Sequence, residues 1–177
     1  LDTEKYGGML MGTWLDRPLS VAGRLMVRES GRIVTKLVNV DRDLLIIPNV
    51  AIHMNRNAND GMKFAANIDT YPLFGGADAK DSFLKTVAEA AGVQEADILG
   101  HDLFLYVRGC GTVLGAKKEL IASPKLDDLE CAFGCMKGFL AAKPSRSVPV
   151  CCVFDNEEVG SQTKQGAAST MLSDVLH

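Results

Sequence analysis

The chain has 177 residues, 47% hydrophobic and 23% charged, with a net charge of −3, which suits one globular domain or two small ones. The mild acidity and the lack of a basic run argue against nucleic-acid or acidic-membrane partners, and no stretch approaches the roughly 18 apolar residues of a membrane span. Five cysteines without framework spacing read as reduced core thiols of a cytoplasmic protein rather than as disulfides or a zinc cluster.

The chain opens at Leu1 without a signal-peptide pattern and closes at His177 directly after a helical pattern, so it reads as a piece of a longer protein. A Gly-rich start around Gly7 leads through Trp14–Pro18 to a predicted strand over Gly23–Val27. Glu29–Arg32 reads as a hairpin turn and Ile33–Val38 as its returning strand. The apolar run Asp43–Pro48 is closed by proline, and Ala51–Met54 is a short strand or a helical turn. Asn55–Asp69 is polar and Asn-rich, a surface loop. Ala79–Ala91 places Phe83, Leu84, Val87, Ala88 and Ala91 on one helical face. Gln94–Leu99 is a second short helix, and His101–Val107 alternates as a half-buried strand.

After a return point at Leu114-Gly115, the order becomes strand (Glu119–Pro124), helix (Asp128–Lys143), strand (Val148–Phe154) and a last helix ending at Leu176. The helix carries Leu129, Phe133, Met136, Phe139 and Leu140 at helical spacing, a core stripe, and Val148–Phe154 reads as a buried strand. That grammar predicts a parallel α/β sheet. The fold class is therefore α/β, with a β-rich insertion. The segments are residues 1–12 (α/β-domain segment), 13–115 (β-rich) and 116–177 (α/β).

Two acidic turns follow the two late strands. In Asp155-Asn156-Glu157-Glu158-Val159-Gly160-Ser161, three carboxylates at the end of a buried strand would be costly unless a cation neutralises them, and open α/β sheets place their sites there. Lys125-Leu126-Asp127-Asp128 has the same layout. Asp127 or Asp128 could instead be an ordinary helix cap, and Glu157-Glu158 a solvated acidic helix start. The sharper reading is a metal centre, in which one glutamate binds the ion and its neighbour acts as general base.

The motif Asp155–Ser161 with Gln165-Gly166-Ala167 resembles the signature of the aspartyl aminopeptidase family of cocatalytic zinc metallopeptidases. So do Tyr6-Gly7-Gly8 with Trp14–Arg24, Ile47-Pro48 with Ala51–Arg56, and Ser123–Leu129, in the family's order along the chain. The resemblance implies that Asp127 bridges two zinc ions, Glu158 binds one of them, and Glu157 is the base. It also implies that His53 lies on a loop reaching a neighbouring subunit, where it helps stabilise the oxyanion. The 13–115 segment then corresponds to an oligomerisation domain, and the protein to a homo-oligomer acting on acidic N-terminal residues of peptide substrates. Asp16-Arg17 is expected to form a structural ion pair. Lys125 and Asp128 depart from the family's arginine and asparagine, and the chain contains no His-x-Asp segment. The piece is therefore expected to be inactive alone. A non-catalytic interaction module and an aminopeptidase with neutral-residue preference are the rival readings.

Overall fold

The computed structural model describes residues 1–177, which divide into two compact units. The first comprises Leu1–Glu4 and Leu10–Gly109, the second Lys5–Met9 and Cys110–His177.

The first unit is built on strand β1, Leu19–Glu29, and β2, Arg32–Asn39. They form an antiparallel hairpin in which Glu29 faces Arg32. The intervening Ser30 and Gly31 both have positive φ, 51° and 77°, the backbone that twisted two-residue hairpins require. The Asn-rich segment is not wholly irregular: it holds a one-turn helix α1, Ala66–Asp69. Helix α2 spans Phe83–Ala91, and β3 spans Ile98–Val107. The expected short helix before β3 shrinks to a 3-10 turn at Glu95–Asp97, because Ile98 already pairs with Val27 in the ladder.

The sheet order is β2-β1-β3, all antiparallel, with β1 in the centre. Along β1, Leu19, Val21, Leu25 and Val27 are buried, the alternation of a sheet with one face on a core. Leu19 and Val21 pack with Leu45 and Ile47. Leu25 and Val27 pack with Val38 and with Val87 of α2. The α2 stripe read from helical spacing thus does face the core, and Gly92 ends the helix in the left-handed conformation at φ 66°. Gly23 occupies the fifth position of β1, where a Cβ would lie 2.1 Å from the backbone oxygen of Asp102. Only glycine lets β3 approach that closely. The carboxylate of Asp16 accepts hydrogen bonds from the backbone and side-chain nitrogens of Asn49, both at 2.8 Å, rather than pairing with Arg17. The Asn49 backbone N–H, then its side chain, hold the Asp16 carboxyl below the usual carboxylate range.

The second unit differs from the sequence expectation. Strands β4, Thr112–Leu114, and β5, Leu120–Ala122, pair antiparallel with each other, and no parallel ladder forms. Helix α3 covers Leu126–Ala141 and helix α4 Met171–Leu176, close to the predicted helices. The stripe on α3 is not core, however: Phe133 is 67% and Leu140 70% exposed. Nor is Val148–Phe154 a buried strand. It has no ladder partner, and Val148 is 88% exposed. Apolar periodicity states which face seeks burial; a strand or a core exists only where another segment supplies the opposing surface, and none in this unit does.

Replacing Gly23 by alanine is expected to lower the stability of the first unit by about 1–3 kcal/mol, read as a reduced urea midpoint. An unchanged midpoint would show that β3 can retreat from the added methyl.

Candidate functional site

The acidic turn lies in a compact loop closed by its own backbone. The Asp155 N–H donates to the Gln165 carbonyl at 3.2 Å, the Ser161 N–H to Asn156 at 3.0 Å, and the Ala168 N–H to Ser161 at 3.1 Å. Within it, Glu157–Val159 forms a single 3-10 turn preceded by Asn156 in the left-handed conformation, φ 63°. Asparagine tolerates that conformation better than most residues. Glu157 and Glu158 are both exposed, and neither takes part in any of the chain's four ion pairs. Within these 177 residues Val148–Phe154 makes no ladder and both carboxylates are exposed, so no desolvation cost arises among them.

Residues far away in sequence hold this loop. The Tyr6 hydroxyl donates to Asn156 Oδ1 at 2.7 Å, and Asn156 Nδ2 donates to Thr163 Oγ1 at 2.8 Å. Gly7, with φ 63°, lies so close to the loop that a Cβ there would sit 2.3 Å from the Glu158 carbonyl oxygen. Desolvation, and then the negative charges of Asp155 and Glu158, raise the Tyr6 phenol above its ordinary value. Thr163 also lines an open groove with Gln162, Lys164, Met171 and Asp174. Sequence reasoning noticed Tyr6 and Gly7 only as part of a resemblance and passed over Asn156 and Thr163. The available signal was an asparagine inside an acidic run, a residue able both to accept and to donate.

Asp127 stands at the start of α3 with non-helical backbone, φ −81° and ψ 117°, after Lys125 in the left-handed conformation. It is joined to Asp128 by a cis peptide bond. Lys125 gives no side-chain cap, and the extended backbone of Asp127 interrupts the helix, so Asp127 stands where the regular helix begins. His53, in the first unit, sits exposed on a turn closed by the Met54 N–H on the Ala51 carbonyl at 2.8 Å.

Zinc takes carboxylate oxygens readily, and its catalytic sites use three protein ligands. Asp127 and Glu158 are of the right donor type. No group of three or more His, Cys, Asp or Glu side chains in the chain is placed to hold a metal ion. All five cysteines are free, and no helix is long and apolar enough to cross a membrane.

The family model described as aminopeptidase I zinc metalloprotease (M18) matches residues 1–177. A probable M18 family aminopeptidase 2 of Clostridium novyi is 44% identical over 182 aligned residues, which take in 99% of this chain and 42% of that protein. Among solved structures, mApe1 of Chaetomium thermophilum superimposes with a TM-score of 0.82 at 28% identity, covering 97% of this chain and 43% of that one. The S. cerevisiae mApe1 dodecamer gives a TM-score of 0.72 at 30% identity, covering 97% and 40%. The chain thus spans less than half the length of the proteins it matches.

With its phenol raised above the ordinary value of 10.0, Tyr6 is expected to remain a hydrogen-bond donor throughout the neutral range. Tyrosinate absorbance of the chelator-treated full-length protein, wild type minus Tyr6→Phe, should titrate above that value, and Glu158→Gln should bring the midpoint down. A midpoint at or below the ordinary value would contradict the placement of Tyr6 against the acidic turn.

Proposed function

Because the chain belongs to the aminopeptidase I zinc metalloprotease (M18) family, we propose that the protein carrying it is a zinc-dependent aminopeptidase removing N-terminal residues from peptides. The observation that carries this reading is the pair Glu157-Glu158, two exposed carboxylates without an ion-pair partner, on a loop whose backbone is pinned from both sides. Glu157 accepts the proton of the water that attacks the scissile carbonyl. Asp127 and Glu158 would be the chain's zinc ligands. Bound zinc supplies a polarised carbonyl and a more acidic water.

The preferred substrates are peptides with Asp or Glu at the N-terminus, on the strength of the four aspartyl-aminopeptidase-like motifs. The remaining ligands belong to the part of the full-length protein corresponding to the length the relatives have beyond this match, and the 177-residue chain is inactive alone. The β-rich segment, residues 13–115, is an oligomerisation domain. Its His53 serves the site of a neighbouring subunit by stabilising the oxyanion, and the dodecamer formed by yeast mApe1 supports a homo-oligomer. Five free thiols suit the cytoplasm.

Full-length protein purified without chelator is expected to contain zinc and to hydrolyse aspartyl and glutamyl amides faster than leucyl amides. Glu157→Gln should keep its zinc and lose on the order of 10²–10⁴ in kcat. A zinc-free protein that cleaves none of the amides removes the enzyme reading. Faster leucyl hydrolysis removes only the acidic preference, and activity from the isolated 177-residue chain removes only the claim that it is inactive.

A further inference from the structure

We propose that the Tyr6-Gly7 segment is a brace that sets the position of Glu157, with the Tyr6 hydroxyl as its positioning group. This inference rests on the reading of Glu157 as the proton acceptor. The Glu157 carboxylate is exposed and in no ion pair, so its place depends on the backbone that carries it. Both neighbours of Glu157 are held by the same segment, some 150 residues earlier in sequence. On one side, the Tyr6 hydroxyl donates to Asn156 Oδ1 at 2.7 Å. On the other, Gly7 lies against the Glu158 backbone, where a Cβ would stand 2.3 Å from the carbonyl oxygen.

The residue types suit that task. Asn156 must take the left-handed conformation, accept from Tyr6 with its oxygen, and donate with its nitrogen to Thr163 Oγ1 at 2.8 Å. Asparagine does all three; aspartate lacks the donor, and glycine has neither group. Gly7 is itself at φ 63° with no room for a side chain, so glycine is required there on two counts. A shift of the Asn156 backbone would swing Glu157, and a misplacement of about 1 Å in a reacting group can cost as much as 10²-fold in rate. Tyr6 therefore acts through Asn156 and need not touch the substrate.

The test compares variants of the full-length protein. Tyr6→Phe keeps the ring and removes only the donor. It should lower kcat on the order of 10-fold with KM, bound zinc and thermal midpoint unchanged. Gly7→Ala should lose more kcat and also lower the thermal midpoint, since its methyl would push on the Glu158 backbone. In chelator-treated protein, amide hydrogen exchange over residues 155–161 should quicken in Tyr6→Phe and stay constant elsewhere, a readout independent of metal and turnover. Tyr71→Phe, which removes a phenol from the first unit, should change neither measurement. The inference is overturned if Tyr6→Phe leaves kcat and exchange at wild-type values while Glu157→Gln abolishes turnover. It is equally overturned if the loss in Tyr6→Phe comes with lost zinc, a lowered thermal midpoint, or a change in KM alone. Full activity in Glu157→Gln would instead bring down the reading of the site, and the brace with it.

Discussion

Pairing of β1 on both of its edges is the constraint from which the ordered core of this chain follows. Because β2 and β3 satisfy its backbone on either side, its inward side chains are free to gather apolar partners without stranding polar groups. Every buried hydrophobic side chain of the chain lies in the first unit, and four of them are on β1 itself. The loop segment around Leu45 and Ile47 and the helix α2 are placed by what β1 offers them. Gly23 marks how tight this arrangement is, since the backbone of β3 occupies the space a side chain would need.

The second unit is organised by other means. Its acidic loop is shaped by backbone hydrogen bonds and by one tyrosine–asparagine–threonine relay rather than by a packed interior. Such a loop can hold carboxylates in water at little desolvation cost. Its local stability depends on few contacts, so the loss of one of them should be felt locally before it is felt globally. The M18 structures that superimpose on this chain carry the same mixed α/β arrangement across nearly all of its residues, and the chain is a fragment of that fold.

How far the fold was legible depended on where the partners of each segment lay. The hairpin could be read because Ser30-Gly31 must supply two positive φ values, a purely local demand. The α2 stripe could be read because β1 and β2 supply the surface that buries Val87. The stripe on α3 is as regular, yet Phe133 and Leu140 face solvent, since periodicity records an appetite for burial and not its satisfaction. Val148–Phe154 failed as a strand for the same reason: its β propensity is local, and its ladder partner is not. Asp127 shows a further case. From sequence, cap and ligand were equally open, and the extended backbone of Asp127 at the start of the regular helix suits either.

By itself the sequence determined the α/β class and the family, because those follow from residue types at short spacing. It named Glu157, Glu158 and Asp127 without saying what holds them. Only the tertiary structure decided that Tyr6 and Gly7 grip the acidic loop on both sides of Glu157. It also decided that the late apolar run finds no ladder partner within these 177 residues. The reason is physical: a contact between residues 6 and 156 leaves no periodicity in the chain, and becomes visible only once folding has brought the two segments together.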